Sequence, residues 1–405
     1  MLQHLPLAKY SAFNIIMWGT VLACFAAVNN FAGAVAVRFF LGFFEAAVTP
    51  GWALFTSQWY TMKEQGMRVN MWFSFNGFAQ IFGGVVAYGI AKGVEAHGSA
   101  IEPWKIIFLV TGLLTVACGV IFLFWMPDNQ MNARFLSKED RILAIERVRV
   151  NQQGIGNKTW KFYQFKEALL DPITWAFFLF SLIGNIPNGG LSNFFSLLIK
   201  SFGYTSQQSL LYGTPGGAVE IVALWMSGWI GDRTGQRIFT SSIFVLTAMI
   251  GMVMVIAIPA DAPAGRLVGY YLTQACPAGF VAILGLISSN VAGYTKKTTV
   301  AALYLIAYCV GNIIGPQIFD TDDYVPAEIT IVVCWGVCLL FLAFVWWWCR
   351  KENRRKAAKR TEPGYTKLEN SVSMIPFITH VSVLIVGQEW LDLTDRENTE
   401  FVYTL

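Results

Sequence analysis

Ten stretches of roughly twenty mostly apolar residues follow one another along this chain, at about 11–30, 32–59, 69–92, 105–126, 173–199, 208–231, 239–259, 266–291, 298–319 and 329–349. A helix needs roughly 20 apolar residues to cross the ~30 Å hydrocarbon layer of a bilayer. Inside that layer only helices and closed barrels satisfy their own backbone groups. The repetition therefore predicts an all-α polytopic membrane protein. Composition agrees: 55% of the 405 residues are hydrophobic, 15% aromatic and 13% charged, where a soluble domain carries roughly 25% charge. Pro50 predicts a kink or tilt in the long second segment. Glycines such as Gly83 and Gly84 suit close helix packing in lipid.

The loops alternate in charge. Lys9, Lys63, Arg68, Arg233, Arg237, Lys296 and Lys297 fall on one side, with the basic loop 127–171 and the tail from Arg350 to Arg360. The other side holds Lys92, Lys105, Lys200 and Arg266 beside the acidic Asp320, Asp322 and Asp323. The positive-inside rule makes the basic side cytoplasmic and places both termini there. The chain then divides into a four-helix bundle (1–126), a cytoplasmic linker (127–171), a six-helix bundle (172–349) and a cytoplasmic tail (350–405). Within the linker, Ser137-Lys-Glu-Asp140 has the form of a capping box opening an amphipathic helix. A second amphipathic stretch from Trp160 stops at Asp171-Pro172. Both are expected to lie on the inner leaflet. The sequon Asn157-Lys-Thr159, on the cytoplasmic side, should carry no glycan.

Cys24, Cys118, Cys276, Cys309, Cys334, Cys338 and Cys349 fall nearly all in apolar segments without a CxxC pair. They read as small buried hydrophobes rather than disulfides or metal ligands. The three histidines, His4, His97 and His380, lie outside the middle of every span. That, with the lack of clustered carboxylates at metal-binding spacing, argues against a metal centre and against a membrane-embedded enzyme such as an acyltransferase; no nucleic-acid partner is expected. Arg38 and Glu45 stand out instead. They sit seven residues apart in an otherwise apolar stretch, hence on one helix face and roughly 10 Å apart along the axis. A charge at hydrocarbon depth costs at least ~2.5–3.5 kcal/mol, so such a group faces a cavity, a substrate or a partner. A structural ion pair between helices is the competing reading.

The segment Gly228-Trp-Ile-Gly-Asp232-Arg233-Thr-Gly235-Gln-Arg237 fits the loop pattern G-x-x-x-D-R-x-G-x-R and resembles that of the major facilitator superfamily. Arg38-x-x-x-Gly42-x-x-Glu45 followed by Pro50 is similar to the fourth helix of its anion:cation symporter branch. Ser57-Gln-Trp-Tyr60 with Glu64 and Arg68, Asn185-Ile-Pro-Asn188-Gly-Gly-Leu-Ser-Asn193, Gly293-Tyr-Thr-Lys296-Lys297 and Gly311-Asn312-Ile-Ile-Gly-Pro-Gln317 narrow the resemblance to the fungal allantoate permease family. It covers residues 1 to about 355.

The resemblance implies a proton-coupled importer of small organic anions in the plasma membrane, with two helical bundles around a central cavity and no cofactor beyond the proton gradient. Such a protein is expected to act as a monomer. Arg38 would hold the substrate carboxylate through its planar fork, and Glu45 would carry the proton. Asn185, Asn188, Asn193, Asn312 and Gln317 would bind an amide or ureide, or else act as glue between helices. Asn185-Ile-Pro-Asn-Gly-Gly is expected to be an unwound stretch. Glu220 departs from the family pattern: it is a second proton site, the partner of a base, or a hydrated residue. Gly228, Asp232, Arg233, Gly235 and Arg237 would form a gating latch.

The numbering also implies that the family's first two helices are absent, which leaves a non-transporting remnant or ligand sensor as the alternative. Residues 372–386 are too short and interrupted to span and are expected to be a retained intron, because Val-Ser can encode a splice donor. The acidic stretch after them, from Gln388, resembles the end of fungal members.

Overall fold

The computed structural model describes residues 5–149, 160–259, 261–319, 324–362, 371–377, 380–386, 393–398 and 401–405. The sequon at Asn157 and the acidic residues Asp320, Asp322 and Asp323 lie outside the described residues. The body is helical: α1 (Leu7–Cys24), α2 (Phe31–Glu45), α3 (Val48–Trp59), α4 (Met62–Phe73), α5 (Phe75–His97) and α6 (Pro103–Trp125) precede α7 (Lys138–Arg149) and α8 (Phe162–Leu170). Then come α9 (Pro172–Ser201), α10 (Ser206–Thr234), α11 (Arg237–Ala257), α12 (Pro263–Thr273), α13 (Cys276–Asn290), α14 (Tyr294–Ile314) and α15 (Val325–Arg360). The stretch 371–386 forms an antiparallel hairpin, β1 (Ser371–Phe377) with β2 (His380–Val386), in the register Ser371 to Val386.

Seven helical stretches among the described residues are long and apolar enough to cross a membrane, or eight when the bent pair α8–α9 counts as one. Two expected segments fall outside that set. The second is broken into α2 and α3 at Ala46 and Ala47. Pro50 explains the position, since a proline cannot donate to the carbonyl four residues earlier, here that of Ala46. The other segment is α10, a helix of 29 residues that carries Gln207, Gln208, Glu220 and Asp232 among its apolar groups.

The chain forms two compact units. Unit 1 comprises Met1–Gln65 and Phe82–Asn151, and unit 2 comprises Gly66–Ile81 and Gln152–Leu405. In unit 1 the main helix pair is α1 with α6, where Gly19 and Gly112 bring the two backbones together. Unit 2 is denser. Phe177, Met252, Tyr270, Leu286, Tyr304, Ile331 and Trp335 share one core in which each is almost completely enclosed. Local signals set many helix ends. Ser137 accepts from the Asp140 N–H at 3.1 Å and donates to its carboxylate at 2.8 Å, opening α7. Thr205 and Gln208 form a reciprocal capping box at α10. Asp171 caps α9, with Pro172 in its first turn, and α8 meets α9 at 65°. None of the seven cysteines is in a disulfide; Cys334, Cys338 and Cys349 are buried as expected, whereas Cys24, Cys118 and Cys309 are exposed, which corrects the expectation of burial for these three.

Candidate functional site

In unit 1 the Asn30 side chain accepts the Gly33 N–H at 2.7 Å and so fixes the start of α2. Arg38 lies two turns further on, its guanidinium 5.3 Å from the centre of the Phe25 ring. Glu45 is the last residue of α2, at the break before α3. Neither residue makes an ion pair with any described residue, and both are exposed. Beside the break, Ser11, Asn14, Ala47, Val48, Trp52 and Phe55 border a cavity of about 10 Å³, room for about one water molecule. The buried Ser11 hydroxyl has no hydrogen-bond partner there.

In unit 2 the structure brings Asn188 and Asn312 together: the Asn188 amide donates to the Asn312 side-chain oxygen at 2.9 Å, joining α9 to α14. The other amides turn back on their own helices. Asn185 donates to Ser181 O at 2.6 Å, Asn193 to Gly189 O at 2.7 Å, and Gln317 to Ile313 O at 3.0 Å. The expected unwinding at Asn185–Gly190 is corrected here, because α9 runs unbroken from Pro172 to Ser201 through Pro187. A membrane helix tolerates such a proline. The glycines serve close packing instead. A Cβ on Gly189 would lie 2.6 Å from Asn312 O, and one on Gly311 would strike Leu182 O.

Glu220 is buried on α10 and makes no hydrogen bond or ion pair with any described residue. Tyr270 and Cys276 lie within electrostatic range of it. At the end of α10, Asp232 accepts the Met67 N–H at 2.8 Å and lies 3.6 Å from Arg237. Arg237 donates to Gly285 O at 2.5 Å. Gly235 adopts φ +67°, the left-handed conformation that ends the helix, with its N–H on Gly231 O at 3.0 Å. Gly228 packs against Met67 and Asn70. Arg233 is set apart from the acid, 5.2 Å over the Trp229 ring. The motif thus ties α10, α11 and α13 to the stretch after Gly66. Among the described residues no group of His, Cys, Asp and Glu is arranged to hold a metal ion.

The sequence pattern of the Major Facilitator Superfamily matches residues 8–316. The chain belongs to that superfamily. Among its relatives is an uncharacterized transporter of Schizosaccharomyces pombe, 40% identical, with the match covering 100% of this chain and 76% of the relative. The allantoate permease of Saccharomyces cerevisiae is 34% identical over 98% of this chain and 72% of its own length. The E. coli fucose:proton symporter shares the fold with TM-score 0.57 at 14% identity, covering 85% of each chain. This facilitator is therefore an integral membrane protein of a transporter family, not of an enzyme family.

One cluster in this facilitator was divided between two sequence motifs and not read as a unit. Lys296, at the start of α14, is fully buried and pairs with Glu167 at 2.9 Å, Asp171 at 2.9 Å and Asp395 at 2.7 Å. Arg396 adds a contact to Asp171 at 2.9 Å, and Thr394 donates to Glu167 at 3.1 Å. The C-terminal segment is held further along. Asn290 and Thr404 exchange two hydrogen bonds, at 2.8 and 2.7 Å, and Asn353 and Tyr403 exchange two more, both 2.8 Å. Burial, with the Asp395 charge second, pushes the Tyr403 hydroxyl well above its usual range, so it stays protonated and donates to Asp395 at 2.7 Å. The signal was present in Gly293-Tyr-Thr-Lys296-Lys297 and in the acidic tail, but nothing in either stretch alone names the other as its partner.

Proposed function

We propose that this facilitator is a proton-coupled symporter that imports small organic carboxylates of the allantoate, ureidosuccinate, dipeptide or vitamin-carboxylate class. The observation that carries this reading is the pair Arg38 and Glu45: two ionisable groups two turns apart on one apolar helix, neither in an ion pair with any described residue. Arg38 is the anion site, because a guanidinium offers two parallel hydrogen bonds to a carboxylate. Glu45 is the proton carrier, placed at the α2–α3 break where the helix is interrupted. In unit 2, Glu220 is a second carboxylate for proton traffic, and the paired Asn188 and Asn312 are candidate donors and acceptors for an amide or ureide. The 34% identity to an allantoate permease supports the substrate class. The charge asymmetry of the loops supports cytoplasmic termini, and the protein acts as a monomer in the plasma membrane.

The test is uptake of labelled allantoate, ureidosuccinate, dipeptides and vitamin carboxylates in a fungal strain lacking its own permeases, at acidic and neutral external pH. Uptake of at least one carboxylate, stimulated by external acid, is expected. Arg38→Lys keeps the charge but loses the fork, and should raise the half-saturating substrate concentration about tenfold, corresponding to the loss of roughly one charge-assisted hydrogen bond. Uptake confined to neutral solutes, or indifferent to pH, contradicts the reading.

A further inference from the structure

The apolar part of α15, residues 329–349, is about 30 Å long at 1.5 Å per residue, the thickness of the hydrocarbon layer. Trp346 and Trp347 therefore stand at the membrane boundary, and the helix continues from Arg350 to Arg360 through the headgroup layer. The two faces of this extension differ. On one, Asn353 and Lys356 are covered by the C-terminal segment: Lys356 donates to the carbonyls of Asp395, Asn398 (3.1 Å) and Phe401 (3.3 Å). On the other, Trp347, Arg350, Lys351 and Arg354 fall at positions i, i+3, i+4 and i+7 and line an open cleft of about 190 Å³.

Among the described residues, the charges around this cleft lack counterions. Arg350 lies 5.0 Å over Trp346, Lys351 lies 5.0 Å over Trp347, and no carboxylate pairs with Arg350, Lys351 or Arg354 among the described residues. The neighbouring Arg355, by contrast, is paired with Glu352 at 2.8 Å. We propose that this cleft binds the headgroup of an anionic phospholipid. The three cations meet the phosphate and its acidic substituent, and the tryptophans meet the glycerol and upper acyl region. The C-terminal segment on the opposite face holds the extension straight, so that the basic stripe is presented at headgroup depth. A lipid fits better than a free anion because the cleft is open and begins at the tryptophan level, where a bilayer supplies the missing walls. The proposal draws on the orientation given above only for the leaflet, the cytoplasmic one, where anionic lipids concentrate.

The experiment uses the full chain in phosphatidylcholine nanodiscs with or without phosphatidylserine, reading lipid retained by native mass spectrometry and the thermal midpoint. Phosphatidylserine should be retained preferentially and raise the midpoint. The triple variant R350Q/K351Q/R354Q should retain at least about tenfold less of it, since each basic group near a charged surface contributes about 1 kcal/mol. Arg355→Gln should match the wild type. Trp347→Leu keeps every charge, and with them the orientation, and should still lower retention about threefold through the lost cation–π contact. Equal losses in Arg355→Gln and the triple variant would replace the cleft with diffuse surface charge. Full retention in Trp347→Leu would also overturn the proposal, as would a thermal shift reproduced by inorganic phosphate in pure phosphatidylcholine. Accessibility of a C-terminal tag from outside the cell, with retention intact, would refute only the choice of leaflet.

Discussion

In unit 1, Arg38 and Glu45 stand on a helix of which no residue is buried. In unit 2, Lys296 is enclosed by three carboxylates drawn from α8, the start of α9 and the C-terminal segment. Both are sets of charges in a largely apolar chain, yet among the described residues only the second is joined in ion pairs. A charge that holds the fold is thus separated from one available to a ligand by whether partners of opposite sign surround it. A buried ion cluster with every partner in place is a structural element whose disruption is costly. Ionisable groups on an apolar helix that form no ion pair with any described residue point to something that comes and goes.

The contrast can be broken most forcefully at Lys296. Lys296→Met leaves Glu167, Asp171 and Asp395 facing one another with Arg396 on Asp171 and Lys356 beside the Asp395 backbone. It should destabilise the protein by about 3–5 kcal/mol, the cost of orphaning a buried charge pair. A denaturant or thermal unfolding series in detergent measures it. A variant as stable as the wild type would remove the structural half of the comparison.

A smaller effect separates the packing of the two units. Gly311→Ala pushes a methyl group into the Leu182 carbonyl where α14 meets α9 and should cost about 1–3 kcal/mol by overpacking. Gly42→Ala, in unit 1, meets nothing within 4 Å and should leave stability unchanged or raise it by up to about 1 kcal/mol. The same unfolding series reads both. Similar losses at the two positions would mean that α2 is packed as tightly as α14.

The Asn188–Asn312 pair sharpens the comparison at the lower end. As a single interhelical hydrogen bond, its removal in Asn188→Ala should cost about 0.6 kcal/mol in stability. Substrate affinity should fall by more than that if the pair also meets the ligand. Equal small losses in stability and binding would leave it a helix–helix contact only.

Much of this architecture was legible in the chain because its signals are local. Apolar length announces a membrane helix, Ser137-x-x-Asp140 announces the start of α7, and Gly228-to-Arg237 announces a tight turn between α10 and α11. The misread stretch, Asn185–Gly190, failed because glycine and proline carry two meanings. They loosen a helix when nothing lies against them, but here they allow α14 to approach, and that neighbour is about 120 residues away. The Lys296 cluster was hidden for the same reason, since its partners lie 99–129 residues distant. The break at Ala46 was legible only as a kink near Pro50; that it follows directly on Glu45 emerges from the backbone.

The central claim is that Glu45 carries the proton while Arg38 holds the anion. The direct measurement is made on Glu45→Gln, which keeps the size of the side chain and removes its titration, reconstituted in vesicles with an imposed pH gradient. Accumulation of labelled carboxylate driven by the gradient should collapse to the level of empty vesicles, while exchange of internal for external substrate, which needs no net proton release, should persist. Gradient-driven accumulation at the wild-type level in Glu45→Gln would contradict the account and move the coupling site to another carboxylate, with Glu220 the first to examine.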